Sequence, residues 1–547
     1  MGESAPLWIQ SDGLLLADGR HPDFAELRDF LQGVAELVKC PGGLYTYRLT
    51  PLSLWHAAAA GWTAEGLLGR LGEWTGNGVP PALAEEVRRQ IAVYGRFRLV
   101  AREGRLLLEC ATPYHLSLVR ETEETARWLE EEVDERTAAV RPEGRGLLKQ
   151  AMAAAGLPVI DEAGYRAGGP LSVAFRETDD SGQPPRLRDY QQEAVDAFVS
   201  GGSGVVVLPC GAGKTWVGMG ALVRLQCETL ILTPNGTSVR QWIRELTSRT
   251  TLSPGEVGAY TGERKEVRPV TVATYQVLTR RRSKSGPFLH RRLFMDREWG
   301  LIIYDEVHLL PAPVFRMTAD LQAARRLGLT ATLVREDGRE TDVFALIGPK
   351  RYELPWRAVE RAGFIARARC TEVRVPMDEA AAARYAAAPR GERPRLAGEN
   401  PRKAEAVRRL LERHAGEPTL IIGHYLDQLR ELAEIFSLPL VTGEMPQEER
   451  QRLYDRFNRG EIRALAVSKV ANFAVDLPDA SVAIQISGSF GSRQEEAQRL
   501  GRILRPKAAG ASFYTLVSDG TVEREFSRRR KRFLLEQGYT YETEWWT

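Results

Sequence analysis

Residues 205–215 read VVVLPCGAGKT, and this stretch decides the fold. Three valines and a leucine in an unbroken row are what a strand buried on both faces looks like, as in a parallel sheet. CGAG then turns the chain, and Lys214-Thr215 opens a helix. A strand, a glycine turn and a helix in that order make a cradle for phosphate. Backbone N–H groups can approach the oxygens, the helix N-terminus adds partial positive charge, and the lysine reaches the β and γ phosphates. Gly211, Ala212, Gly213, Lys214 and Thr215 are therefore candidate ATP-binding residues, with the Thr215 hydroxyl placed on Mg²⁺. The generic loop starts on glycine where this chain has Leu208.

Outward from this stretch the pattern repeats. Short β-branched runs at 205–208, 230–232, 270–273 and 301–304 alternate with helical segments, and a second series follows at 420–422, 464–467, 482–486 and 513–517. Two successive α/β units with parallel sheets are expected, at 179–355 and 356–547, facing one cleft. DDSGQPP (179–185) reads as the linker before them. Residues 1–120 read as a unit of their own. It has a hairpin at Asp12-Gly13, a helix over 24–38, helix starts at Thr50-Pro51 and Thr63, and a helix over 82–94 with Leu83, Val87, Ile91 and Tyr94 on one face. RFRLV and RLLLEC around Glu103-Gly104 predict a second hairpin, so that helices followed by a hairpin resemble a winged helix. The charge-rich stretch 121–178 predicts a small α+β module.

Composition bounds this reading without sharpening it. The chain has 547 residues, 43% hydrophobic and 27% charged, with a formal net charge of only +3, so no global basic field marks a nucleic-acid partner. Basic runs such as 280–282 and 528–532 read first as solvated faces. The five cysteines have neither metal spacing nor a pairing framework, and Cys210 lies inside the phosphate loop, which suits a reducing cytoplasm. No signal peptide or membrane-spanning run is present, and no membrane association is expected.

Three further motifs complete an ATP site. IIYDE (302–306) is an apolar strand ending in two acids. Asp305 is placed to hold Mg²⁺ and Glu306 to polarise the attacking water. LTAT (329–332) offers the Thr330 and Thr332 hydroxyls to those acids, with His308 as the link between them. Upstream, Arg188 and Gln191 in RDYQ suit an adenine clamp. In the second unit QRLGRILR (498–505) spaces Arg502 and Arg505 one helical turn apart, so both guanidinium groups can reach a transferring phosphoryl group; Gln498 completes this candidate catalytic set with Lys214, Asp305 and Glu306. A phosphate loop alone says only nucleotide. All of these motifs in this order imply an ATP-driven motor on nucleic acid.

The residues resemble superfamily-two helicases, and more narrowly the XPB-type DNA repair helicases in their bacterial form. DEVH followed by LLPAPVFR (309–316), LGLTATLVREDG (327–338), IGPKRYE (347–353), SKVANFAVDLP (468–478), GSRQEEAQRLGRILR (491–505) and RFLLEQGY (532–539) carry the resemblance, as does YRLTPLSLWHAAAAG (47–61). It spans nearly the whole chain. It implies two tandem RecA-like motor domains behind a damage-recognition-like module, 3′→5′ DNA unwinding and a repair role. It also implies a coupling triplet at Arg335, Glu336 and Asp337, and a short thumb-like insertion over 378–400.

On this reading DNA runs across the motor surface, with Thr233, Asn235, Thr274, Tyr275, Ser468 and Lys469 as candidate backbone contacts. A monomer is expected, with a nuclease or repair protein as a further partner. The competing functions are a duplex translocase that opens DNA without processive unwinding, and an RNA remodelling ATPase.

Overall fold

The computed structural model describes the chain apart from residues 1–4, 41–42, 179–181, 282–287, 312–313, 315–316, 319–320, 323, 334–337, 469–479, 489–498, 502, 504–509 and 547. It divides into two compact units, residues 1–208 with 213–354, and residues 209–212 with 355–547. Among the described residues no helix is long and apolar enough to cross a membrane.

The expected β-branched runs all form strands. In the first unit Gly204–Val207, Thr229–Thr233, Val270–Thr274 and Leu301–Asp305 are buried almost throughout, because helices cover both faces of a parallel sheet. Arg325–Thr330 leads into LTAT, while Val257–Tyr260 and Lys350–Glu353 add the two edges. Every pairing is parallel. Numbered within the sheet with Gly204–Val207 as the first strand, the spatial order is 3-4-2-5-6-1-7.

The second unit has seven strands, Ala368–Val375, Thr419–Ile422, Leu440–Val441, Ala464–Val467, Val482–Gln485, Ala511–Ser518 and Tyr541–Trp545. They are again all parallel, in the same order 3-4-2-5-6-1-7. One topology is thus used twice in tandem. In the first unit it sets the phosphate-loop strand beside Arg325–Thr330, which in turn flanks the acid strand Leu301–Asp305. Ligands of open parallel sheets bind at the carboxyl ends of strands where the strand order reverses, and those three ends meet there.

The stretch expected as a thumb is two helices, Glu379–Ala387 and Arg393–Gly398, fastened to the second sheet. The Tyr385 hydroxyl accepts from Val522 N at 2.9 Å, and Ser518 Oγ donates to the Ala397 carbonyl at 2.6 Å.

The N-terminal 93 residues differ from the helix-then-hairpin expectation. Leu7–Ile9, Leu14–Asp18, Leu44–Arg48 and Glu36–Lys39 form an antiparallel sheet beneath the helices Phe24–Val34, Pro51–Ala59, Ala64–Trp74 and Pro81–Val93. The helix read over 24–38 stops at Val34, and its last residues pair with Leu44–Arg48 as a strand. Thr50 caps the second helix reciprocally with Ser53, as its Thr-Pro start suggests.

The hairpin Phe97–Arg102 and Arg105–Cys110 belongs to the next module. It pairs with Thr137–Val140 and with Val159–Glu162 in a five-stranded sheet. Strand alternation puts Phe97, Leu99, Leu108 and Cys110 on one face, and that face is covered by Leu148 and Met152 from the later stretch. Nonlocal burial decided where the hairpin went.

Both accessory modules are fastened to the first motor sheet. Phe344 sits among the rings of Trp55, His56 and Tyr94, at centroid distances of 5.8, 5.2 and 6.3 Å. His56 Nδ1 accepts the Lys350 N–H at 3.1 Å, and Gln150 Nε2 donates to Asp342 Oδ1 at 2.8 Å. Burial, with the nearby Lys350 charge, pushes His56 down to about 3 from its ordinary 6.5. A neutral buried imidazole that must charge on unfolding contributes stability that is complete above pH 6.5 and is lost progressively as the pH falls toward 3. Thermal unfolding should therefore show the melting temperature of the wild-type chain dropping by several degrees more than that of His56→Asn between about pH 6.5 and about pH 5. Parallel pH profiles for the two proteins would show that this imidazole is not held neutral.

Candidate active site

The phosphate loop is built from backbone freedom first. Leu208 N–H donates to the Thr330 carbonyl at 3.0 Å, which ties the end of the loop strand to LTAT. Gly211 and Gly213 take φ of +83° and +81°, the left-handed region that other residues enter at a cost. Gly213 is doubly constrained, since a Cβ there would lie 2.4 Å from Gln191 Nε2. The amide expected to read adenine thus packs on the phosphate loop itself. Its Oε1 accepts the Arg188 N–H at 2.9 Å, and Arg188 Nη1 donates to the Tyr190 hydroxyl at 3.1 Å.

Lys214 and Thr215 occupy the first turn of the helix Lys214–Leu225. Two glycines inside that helix each cost about 1 kcal/mol relative to alanine. Packing explains both. A Cβ at Gly218 would stand 2.5 Å from the Trp242 ring, and one at Gly220 would crowd Val195 and Leu187 at 2.8 and 2.9 Å.

The acid strand ends in a strained turn. Glu306 has φ +51° and ψ +55°, a left-handed conformation that costs a non-glycine residue of order 1 kcal/mol and clusters at functional sites. The turn brings Glu306 Oε1 within 3.3 Å of Lys214 Nζ and Oε2 within 3.4 Å of His308 Nδ1.

Asp305 is gripped differently. Trp242 Nε1 donates to its Oδ2 at 2.9 Å, and the Tyr275 hydroxyl donates to its backbone carbonyl at 2.8 Å. Burial and then the Glu306 charge push the Asp305 carboxyl up to about 6, against the opposing pull of Trp242 and Lys214. Two carboxylates in one half-buried corner raise each other's cost of ionisation, and a cation beside them removes it. Carboxylate and hydroxyl oxygens, from Asp305 and Thr215, are the donors a hard divalent ion takes, so these residues fit Mg²⁺. They cannot fill an octahedral shell alone, and phosphate oxygens and water would complete it.

From the acids a buried chain leads to LTAT. His308 Nδ1 and Thr330 Oγ1 are 2.7 Å apart, and Thr330 Oγ1 donates to the Thr332 carbonyl at 2.6 Å. The hydroxyl has one proton and it goes to Thr332, so His308 must carry its own proton on Nδ1 and donate. His308, Thr330 and Thr332 are 4%, 0% and 3% exposed, which leaves this relay no access to solvent.

Lys214, Asp305, Glu306, His308, Thr330, Thr332 and Gln191 therefore converge. Several residues read as DNA contacts do not reach the surface. Thr233, Thr274, Tyr275 and Ser468 are buried, and the described hydroxyls close local turns or hold Asp305. Asn235 caps the helix Gly236–Arg249, accepting from Thr237 N and Ser238 N at 3.0 Å each. Strand-end hydroxyls satisfy the backbone before they can serve a ligand. Arg335, Glu336, Asp337, Lys469, Gln498, Arg502 and Arg505 lie outside the described residues. The residue missed from sequence is Trp242. Its spacing with Val239 and Leu246 reads as an ordinary apolar stripe, and the only clue was the glycine it requires at position 218.

Comparison with known proteins agrees with this geometry. Residues 359–544 match the ERCC3/RAD25/XPB C-terminal helicase model, residues 185–335 the type III restriction enzyme res subunit, and residues 7–134 a helicase conserved C-terminal domain. The chain is 52% identical to the DNA 3′-5′ helicase XPB of Kineococcus radiotolerans, covering 98% of this chain and 96% of that one. It is 49% identical to the protein of the same name from Mycobacterium tuberculosis, over 98% and 97% of the two chains. The general transcription and DNA repair factor IIH helicase/translocase subunit XPB of Antonospora locustae is 36% identical, over 98% and 81%. With its phosphate loop, acid strand and hydroxyl relay assembled on a doubled parallel-sheet fold, the chain belongs to the XPB family of helicases.

Proposed function

We propose that this chain is an ATP-dependent 3′→5′ DNA helicase that couples ATP hydrolysis to strand separation in DNA repair, in the cytoplasm. The observation that carries the ATPase reading is the meeting of Lys214, Glu306, His308 and Thr330 at the carboxyl ends of three adjacent strands. DNA is the partner, held through its phosphates and therefore without sequence preference.

The residues divide the work as follows. Lys214 neutralises Glu306 while no phosphate is present, and leaves it when a γ-phosphate offers a stronger negative partner. Glu306, freed of that charge, orients the attacking water and draws on its proton. Thr215 and Asp305 would hold Mg²⁺, which would supply charge neutralisation to the phosphate oxygens when bound. Gln191 and Arg188 hold the base against the loop. His308 passes the displacement of Glu306 to Thr330 and Thr332, and the chain runs from there directly into Arg335, Glu336 and Asp337. From their one-turn spacing in QRLGRILR, Arg502 and Arg505 are assigned to stabilise charge on the transferring phosphoryl group, with Gln498 beside them in sequence.

Lys214→Ala should lower DNA-stimulated turnover by at least about 10²-fold. Glu306→Gln should bind ATP as the wild type does and hydrolyse it at least about 10²-fold more slowly. Steady-state ATPase assays with parallel nucleotide binding decide this, and normal turnover in either variant would move the catalytic centre elsewhere. Arg502→Ala and Arg505→Ala should each cost about 10³-fold in turnover with little change in ATP affinity; a loss under tenfold would remove them from the reacting phosphate. Arg335→Ala should keep most of its DNA-stimulated ATPase while the ratio of base pairs opened to ATP consumed collapses on a 3′-tailed duplex. An unchanged ratio would return Arg335 to a surface turn.

A further inference from the structure

We propose that Trp242 is a positioning residue for Asp305, fixing the carboxylate in the orientation that receives the divalent cation accompanying the nucleotide. The inference rests on the ATP-site reading above and adds a residue that the phosphate loop and acid motifs do not contain.

The helix Gly236–Arg249 buries Val239, Trp242 and Leu246 along one face, and Trp242 is only 1% exposed. An indole buried this deeply must find an acceptor for its N–H. Two comparably buried indoles of the first unit, Trp299 and Trp55, meet that requirement with neutral oxygens, the Leu293 carbonyl and the Gln90 amide. Trp242 alone among these gives its proton to a carboxylate, Asp305 Oδ2, at 2.9 Å. Hydrogen bonds with one ionised partner are about twice as strong as neutral ones and hold their geometry more tightly.

The ring has no room to shift. One edge lies where a Gly218 Cβ would be, 2.5 Å from the Trp242 ring, so the phosphate-loop helix itself is its wall. The same Asp305 is tied at its main chain by Tyr275, whose hydroxyl reaches the backbone carbonyl at 2.8 Å. Side chain and backbone of one acid are thus held from two separate helices, Gly236–Arg249 and Tyr275–Thr279. Without the indole N–H, Asp305 would be free to rotate toward the Lys214 ammonium, which stands 3.3 Å from the neighbouring Glu306. Because the ring rests on the helix that Lys214 opens, one indole sets the distance between the lysine and the acid that flank the phosphates.

The test uses the full-length protein and a fluorescent N-methylanthraniloyl derivative of ATP, titrated in EDTA and at graded Mg²⁺. Two replacements are made at position 242: Trp242→Phe, and the 3-benzothienyl analogue of tryptophan, which keeps the bicyclic volume and removes only the N–H. For both, metal-free nucleotide affinity should stay within about twofold of wild type, while the Mg²⁺ concentration giving half of the metal-dependent gain should rise about tenfold or more. In an Asp305→Asn background either replacement should add no further loss, because the effect passes through Asp305. Val239→Ala, which loosens the same helix face without touching the N–H, should lower the melting temperature and leave the Mg²⁺ dependence unchanged.

A benzothienyl protein with wild-type Mg²⁺ dependence overturns the proposal. So does an equal loss of affinity with and without metal, or an additive loss in the Asp305→Asn background. Failure of the underlying ATP-site reading looks different: the wild type itself would bind the nucleotide without any Mg²⁺ gain, or Lys214→Ala would bind it unchanged.

Discussion

The parallel pairing of Gly204–Val207 with Arg325–Thr330 is the interaction on which the rest of the first motor unit depends. It sets Val207 opposite Thr330, and the bond from Leu208 N–H to the Thr330 carbonyl closes the ladder just where the phosphate loop departs. With Leu301–Asp305 on the other side of the same strand, the loop, the hydroxyl relay and the acids emerge from three successive strands, the relay in the middle. A slip of one residue in either pairing would turn Thr330 to the opposite face and separate it from His308. Glycine at 328 belongs to the same constraint, since a Cβ there would press on Val205, Val307 and Ile347 at 3.1 to 3.3 Å.

That register concentrates charge, and the charge is what the site uses. Asp305 and Glu306 are adjacent acids at a half-buried strand end, and like charges so placed each disfavour ionisation of the other. The strained backbone at Glu306 keeps them apart by turning the second acid toward Lys214 and His308, while Trp242 and Tyr275 hold the first. The Lys214 charge and the Trp242 indole dipole then partly offset the two carboxylates. Each acid consequently has its own set of partners, Trp242 and Tyr275 for Asp305, Lys214 and His308 for Glu306.

The accessory modules sit on the same unit through contacts of another kind. Phe344 fills a ring of three aromatic side chains, and its helix begins just after the segment that follows LTAT. Asp161 of the second module is paired with Arg145 at 2.7 Å and Lys149 at 2.6 Å in a nearly solvent-free setting, and burial pushes Lys149 down to about 8. Beside them Arg326 spends its guanidinium on the carbonyls of Gln322, Ala324 and Leu346, which anchors the start of the LTAT strand. The modules are therefore fastened chiefly at the helix Glu340–Leu346 and at the start of the strand Lys350–Glu353.

Much of this was legible in the sequence. Unbroken β-branched runs identify doubly covered strands from their own residues, a glycine turn before Lys-Thr identifies a phosphate cradle, and an apolar strand ending in Asp-Glu identifies the acids, because each depends on neighbours along the chain. Tertiary structure alone decided which strand lies between the phosphate loop and the acids, where the hairpin Phe97–Cys110 pairs, and that Thr233, Thr274 and Tyr275 turn inward. It alone joined Trp242 to Asp305, 63 residues away. Local periodicity says which face of an element is apolar, but the partner covering that face comes from distant segments competing for the same surface. A buried hydroxyl or indole N–H bonds whichever acceptor that packing brings within reach, and no motif carries the information.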